Sequence, residues 1–176
     1  ITPMHLASAT ASIVNSGIKV NPTLIKGKTN KENKVIISNK TSMKMKSIMR
    51  LVVSNKNGTA KKAEAPGYLV GGKTGTAEKI NPSGGYFKKK NIVAFTGAFP
   101  INDPEFIITI MIDNPKGQKF SFGYRTAGWV VAPIVKQLVT RVAPILRVKP
   151  QLESSSKLSN SLLDYKIRNK NHGANL

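Results

Sequence analysis

The spacing of apolar residues along the chain predicts three helices, which cover residues 2–14, 42–53 and 126–142. The first is apolar enough to predict a buried helix, with Thr2 as its N-cap and Gly17 after its end. The second has apolar residues at helical spacing with Lys and Arg between them, which predicts an amphipathic helix. The third is an apolar helix in which Pro133 lies near the first turns or introduces a kink. Trp129 near its start is predicted to pack in the core rather than to stack on a ligand.

Runs rich in β-branched and aromatic residues, bounded by Gly, Pro and Asn, predict three strands at residues 68–79, 91–100 and 106–112. Short turn signals at 81–85 and 102–104 join them, so the three strands should form an antiparallel meander. The third run is almost entirely apolar, which predicts a central, buried strand. Two shorter extended pieces are predicted at residues 20–25 and 34–37, and a loop at residues 55–67.

Helices that flank an antiparallel sheet define an α+β fold. The chain of 176 residues is long enough for one domain with its own core, or for part of one. We assign residues 1–149 to this domain. Residues 150–176 are rich in Ser, Asn and Lys, and we predict that they form a disordered polar tail.

The charge of the chain is strongly positive, with 28 basic and 8 acidic residues and a net charge of +20. Such a charge attracts nucleic acid, anionic lipid or an acidic polymer. The basic residues are scattered and mostly Lys, and aromatic residues make up only 6%, which favours a solvated surface over a nucleic-acid interface. With no Cys and two His, the chain is expected to bind no metal and no cofactor.

One strand carries the residues with the clearest chemistry, within the run Gly-Gly-Lys-Thr-Gly-Thr-Ala-Glu-Lys at residues 71–79. Strand alternation places Lys73 and Gly75 on one side and Thr74 and Thr76 on the other. The missing Cβ of Gly75 would let a substrate backbone come close. A cation and two hydroxyls on one extended segment suit a carboxylate beside an acyl-transfer centre. Lys-Thr-Gly is a signature of β-lactamases and penicillin-binding proteins.

Further blocks extend this similarity over about residues 1–150, in an order that resembles the C-terminal part of class B penicillin-binding proteins. Within that family the chain looks most like the division-specific peptidoglycan D,D-transpeptidases of the FtsI type. The blocks are Thr2-Pro3-x-x-Leu6-Ala7, Ala65-Pro66-Gly67-Tyr68, residues 73–79, Asp113-Asn114-Pro115 and residues 126–133.

The resemblance implies the C-terminal part of a serine acyltransferase fold with the Lys-Thr-Gly strand beside the active site. By position, Lys73 would supply catalytic positive charge, and the Thr74 and Thr76 hydroxyls would bind the terminal carboxylate of a peptidoglycan stem peptide. The N–H of Thr76 would be one oxyanion-hole donor. The resemblance further implies binding of β-lactams once the rest of the domain is present. It also implies division proteins as partners and a place at the periplasmic face of the bacterial inner membrane.

Two companion motifs of the family limit this expectation. The Ser-x-Asn motif is missing, and the two Ser-x-x-Lys matches, at Ser16 and Ser154, are expected by chance in a chain rich in Ser and Lys. Ser16 lies at the predicted end of a helix, and Ser154 comes after the triplet instead of before it. We therefore expect that the chain begins after the nucleophile and is inactive alone.

Two other classes of function stay open at this stage. A basic nucleic-acid-binding protein would explain the charge, and its retention on DNA would depend steeply on salt. A non-catalytic interaction module would keep only the shape of the transpeptidase fold. Covalent labelling of the chain by a fluorescent penicillin would exclude both and would contradict the expectation that the nucleophile is absent.

Overall fold

The computed structural model describes residues 1–25 and 33–151, apart from the side chain of Lys89. At its centre is a three-stranded antiparallel sheet in the order β1-β2-β3, formed by Gly71–Ile80 (β1), Tyr86–Phe99 (β2) and Phe106–Asp113 (β3). The predicted meander is therefore confirmed, although β2 begins five residues before the predicted start.

Three α-helices accompany the sheet: Pro3–Val14 (α1), Asn39–Ser54 (α2) and Ala127–Ile145 (α3). The predicted cap of α1 is confirmed, since the Thr2 hydroxyl accepts a hydrogen bond from the His5 N–H at 3.2 Å. Pro133 lies in the second turn of α3, and the helix continues to Ile145. The α+β fold class predicted from the sequence is confirmed.

The helices cover the two faces of the sheet differently. On one face, Val93 and Phe95 of β2 pack in a fully buried cluster with Val131 and Val135 of α3. On the opposite face, the Thr96 hydroxyl lies 2.9 Å from the Thr10 hydroxyl of α1. Helix α2 packs beside β1; its Val53 joins the cluster under α3, and its Met49 packs with Val14 of α1 in a second, smaller buried cluster. The sheet is thus held between α3 and α1, with α2 at the start of its first strand.

The prediction that residues 106–112 form a central, buried strand is wrong. Within the described residues β3 pairs only with β2, so β2 is the central strand. Of the eight residues of β3 only Ile108 is buried, and Met111 is 40% exposed. The run is apolar because α1 contacts one face of β3 and α3 the other, and helices on both faces favour apolar residues at every position.

Three smaller expectations also fail. The pieces at 20–25 and 34–37 form no strands where the structure describes them, and a single bridge joins Ile18 to Val35. The predicted loop at 55–67 contains the 3-10 helix Lys61–Ala63. Helix α1 buries only Thr10, Ser12 and Val14, because no described residue covers its outer face. Most of the predicted tail, residues 152–176, lies outside the described residues, so that boundary stays a prediction.

Candidate substrate-binding site

The first residues of β1 are fixed by close packing. A Cβ at Gly71 would lie 2.5 Å from Ile101 Cγ1, and a Cβ at Gly72 would lie 2.3 Å from Phe95 Cζ and 2.6 Å from the Thr96 carbonyl oxygen. Only glycine fits at such distances, since the Thr96 oxygen belongs to the paired backbone and cannot move aside. The two glycines therefore set how β1 approaches the rest of the sheet.

A buried arginine holds the chain immediately before β1. The Arg50 guanidinium, on α2, donates to the Val70 carbonyl at 2.7 Å and to both Glu64 carboxylate oxygens at 2.7 and 3.1 Å. Its side chain is 3% exposed, and that of Glu64 is 32% exposed. Charge-assisted bonds of this fork geometry are stronger than neutral ones. Sequence reasoning missed Arg50, because it looked like part of the polar face of an amphipathic helix. The available signal was its spacing: Arg50 follows Lys46 by four residues, so the two lie on the same face of α2, and both are buried.

The predicted alternation of the Lys-Thr-Gly strand is observed. Thr74 and Thr76 lie on the α3 side: the Thr74 hydroxyl is 2.9 Å from the Thr59 hydroxyl, and the Thr76 hydroxyl accepts from the Ala127 N–H at 3.1 Å. Lys73 lies on the opposite side, is exposed, and donates from its ammonium to the Thr74 carbonyl at 2.6 Å. The structure therefore brings the two threonines together and leaves Lys73 across the strand from them.

An open cavity of about 420 Å³ lies beside the two threonines. The other residues that line it come from the segment after α2 and from the start of α3: Gly58, Thr59, Lys61, Lys62, Thr126, Gly128 and Trp129. The N-terminus of α3 points at this site and adds the partial positive charge of the helix dipole. None of the described residues that line the cavity is acidic, so its electrostatics suit an anion with oxygen acceptors.

Gly75 differs from the two glycines at the start of the strand. A Cβ at this position would meet no atom within 4 Å, and the residue is exposed. Nothing in the packing of the described residues therefore requires a glycine here. The open space lies on the face of the sheet that Lys73 also occupies. Within the described residues β1 is also an edge strand, so its backbone groups on the side away from β2 are available to an added chain.

The prediction that Trp129 packs in the core is wrong. Its ring is half-buried and stacks on Tyr124 with the centroids 5.3 Å apart, while Phe122 contacts it edge-on at 5.6 Å. The Lys62 ammonium lies 4.3 Å from the ring centroid. These aromatic residues form a surface cluster at the rim of the cavity, which helix periodicity alone could not reveal because its members come from a loop and a helix.

The structure also places the two serine candidates. Ser16 follows the end of α1, is exposed, and has a left-handed backbone with φ 53°. It opens no helix, unlike the nucleophile that the resemblance implies. Ser154 lies outside the described residues. Across residues 1–25 and 33–151, no group of three His, Asp or Glu side chains could hold a metal ion.

Comparison with known proteins identifies the class. Residues 1–140 match the family described as the penicillin binding protein transpeptidase domain. The chain belongs to this family. The match favours the transpeptidase interpretation over a nucleic-acid-binding protein.

Among curated relatives, the chain is 37% identical over 162 residues to the probable peptidoglycan D,D-transpeptidase FtsI of Caulobacter vibrioides, covering 87% of this chain and 27% of the relative. It is 36% identical over 169 residues to the stage V sporulation protein D of Bacillus subtilis, covering 89% and 25%. The chain thus spans about a quarter of the length of these relatives.

Solved structures show the same fold. The transpeptidase domain of Burkholderia pseudomallei penicillin-binding protein 3 superposes with a TM-score of 0.74 at 29% identity, covering 86% of this chain and 44% of that one. Penicillin-binding protein 3 of Mycobacterium tuberculosis, solved with ampicillin, gives a TM-score of 0.73 at 26% identity, covering 90% and 38%. No helix in residues 1–25 or 33–151 is long and apolar enough to cross a membrane.

Proposed function

We propose that this chain supplies the carboxylate-binding wall of a peptidoglycan D,D-transpeptidase that acts in septal cell-wall synthesis. The observation that carries the proposal is the convergence of the Thr74 and Thr76 hydroxyls at the edge of a basic cavity beside the start of α3. A carboxylate only accepts hydrogen bonds, so it needs donors in this arrangement. Family membership supports the assignment of the reaction to the whole protein.

Each residue of the motif has a distinct role in this proposal. Thr74 and Thr76 donate to the terminal carboxylate of the stem peptide, and the N–H of Thr76 stabilises the oxyanion. Gly75 leaves room for the substrate backbone, consistent with the empty space around it. Lys73, on the other side of the strand, supplies positive charge to the catalytic serine.

The reaction proposed for the whole protein is acyl transfer through serine. The serine Oγ attacks the carbonyl of the penultimate D-Ala, and the bond to the terminal D-Ala breaks, so that free D-Ala leaves. An amine of a neighbouring strand then attacks the resulting ester, which forms the cross-link and frees the serine. Stem peptides, β-lactams and division proteins are the proposed partners, at the periplasmic face of the inner membrane.

The nucleophile is not expected among these 176 residues. We predict that fluorescent penicillin does not label this chain covalently, because Ser16 follows the end of α1 in a left-handed backbone conformation and does not open a helix as an activated serine of this family would. The measurement is in-gel fluorescence after denaturation. A covalent band that disappears in Ser16→Ala would contradict the prediction.

The carboxylate site itself is tested by reversible binding. N-acetyl-D-alanyl-D-alanine and its C-terminal amide are titrated into the ¹⁵N-labelled chain, and amide shifts are followed by NMR. The acid should bind more tightly than the amide, with the largest shifts at residues 74–76 and at Ala127. Equal binding of acid and amide would contradict the proposal and would favour a module that keeps only the fold.

A further inference from the structure

The hydroxyl groups around the site can donate to an anion only if their single protons are free. The Thr76 oxygen accepts from the Ala127 N–H at 3.1 Å, so the Thr76 proton is available to a ligand. The Thr74 oxygen shares one hydrogen bond with the Thr59 hydroxyl at 2.9 Å, and either hydroxyl can be the donor in that pair. Because each hydroxyl has one proton, the direction of this bond decides whether Thr74 can also donate to a carboxylate.

We propose that Thr59 is a positioning residue for Thr74: it donates its proton to the Thr74 oxygen and thereby leaves the Thr74 proton for the substrate carboxylate. The inference rests on the proposed function, since it takes Thr74 as a carboxylate donor. Thr59 acts through Thr74, as Ala127 acts through Thr76. Thr74 then accepts from the Thr59 hydroxyl and Thr76 accepts from the Ala127 N–H, and both threonines donate their own protons to the same anion.

The backbone around Thr59 is held rigidly enough for this role. A Cβ at Gly58 would lie 2.2 Å from the Val52 carbonyl oxygen, and a Cβ at Gly128 would lie 2.3 Å from the Thr59 carbonyl oxygen. The Ala60 N–H donates to the Val52 carbonyl at 3.1 Å. Residue 59 is therefore fixed between the end of α2 and the start of α3. A donor held by rigid elements loses little entropy when the ligand binds.

The test compares Thr59→Val, which keeps the side-chain shape and removes the hydroxyl, with Thr59→Ser, which restores it. Thr41→Val is the matched control. Thr41 lies on α2, is also exposed, and its hydroxyl is 2.9 Å from the hydroxyl of Ser38, the residue before that helix. The full 176-residue chain is titrated with N-acetyl-D-alanyl-D-alanine and with the amide. The rotamer of Thr74 is measured in the free protein through three-bond couplings of its side chain.

The expected result is a dissociation constant for the acid that rises on the order of ten-fold in Thr59→Val, the size of one hydrogen bond to a charged group. Binding of the amide should change little, Thr59→Ser should recover most of the affinity, and Thr41→Val should match the original chain. Thr74 should lose its single rotamer in Thr59→Val only.

Two failures can be told apart. If the original chain prefers the acid but Thr59→Val binds it equally well and keeps the Thr74 rotamer, the role of Thr59 is wrong and the carboxylate site stands. If the original chain does not distinguish acid from amide, the proposed function fails and the inference fails with it. Thermal unfolding of each variant shows whether a loss of binding reflects a loss of folding.

Discussion

The two ends of β1 differ although one strand forms both. At Gly71 and Gly72 every added atom would collide with a neighbour, and buried Arg50 holds the carbonyl just before them. At Gly75, three residues later, an added Cβ would touch no atom of residues 1–25 or 33–151. The packed end fixes the position of the strand, and the open end leaves its side chains and backbone to a ligand.

The ion pairs follow the same division. Arg50 and Glu64 pair at the packed end, with the guanidinium almost fully buried. At the open end, Lys79 pairs with Asp113 at 2.7 Å, and the two side chains are 32% and 62% exposed. Solvent weakens the attraction in such an exposed pair. Removing one partner of the Arg50–Glu64 pair would instead leave a charge without its partner and lower the free energy of unfolding. A rigid start and an accessible end are what a preorganised binding strand requires.

The largest effect is expected from Gly72→Ala. The new Cβ would overlap the Phe95 ring and the Thr96 carbonyl, so the free energy of unfolding should fall by about 3 kcal/mol. Urea unfolding followed by circular dichroism measures the change. An unfolding free energy equal to that of the original chain would show that the packed end can move aside.

Arg50→Met should have the next largest effect, about 2 kcal/mol, because Glu64 and the Val70 carbonyl would lose their partner. Lys79→Met is the matched control at the open end and should cost less than about 0.5 kcal/mol. Both are measured by urea unfolding. Equal losses in the two variants would remove the distinction between the ends of the strand.

Lys46 gives the packed end a pH dependence. This residue is 6% exposed and donates to the Asn102 carbonyl at 3.3 Å. Burial lowers the pKa of Lys46 below the ordinary value of 10.5, and the Asp103 carboxylate partly opposes the shift.

The folded pKa of Lys46 is below its unfolded value, so the unfolded state binds more protons between the two pKa values. The free energy of unfolding should therefore gain a rising contribution as the pH increases toward 10.5. Lys46→Met should remove that contribution. Urea unfolding of both proteins at a series of pH values measures the difference, and parallel pH profiles would refute it.

The smallest effect on stability is expected from Gly75→Ala, within about 0.5 kcal/mol, because the new methyl group contacts none of the described residues. Its affinity for N-acetyl-D-alanyl-D-alanine should nevertheless fall on the order of ten-fold, because the methyl group occupies space that the ligand backbone needs. Unfolding and NMR titration of the same sample give both values. Unchanged affinity would mean that Gly75 has no role in binding.

Much of this arrangement follows from periodicity in the sequence. The helical and strand periods predict α1, α2, α3 and the meander, and alternation along β1 predicts that Thr74 and Thr76 share a side. These features depend on neighbours within one element, which a sequence displays directly.

Other features depend on contacts between distant segments, and local patterns could not predict them. Arg50 meets the carbonyl of residue 70, Thr59 meets Thr74, and Thr76 meets the start of α3. The apolar run of β3 indicates that helices cover its two faces, but it does not give the position of the strand in the sheet. Trp129 looked like a core residue because its partners lie in the preceding loop.

The central claim is that the open end of β1 binds a carboxylate through Thr74 and Thr76. The most direct measurement is a structure of the chain with N-acetyl-D-alanyl-D-alanine bound, which locates the carboxylate. We predict carboxylate oxygens about 2.7–3.0 Å from both threonine hydroxyls. A carboxylate found instead in the basic groove on the outer face of α3, between Lys136 and Arg141, would contradict the account.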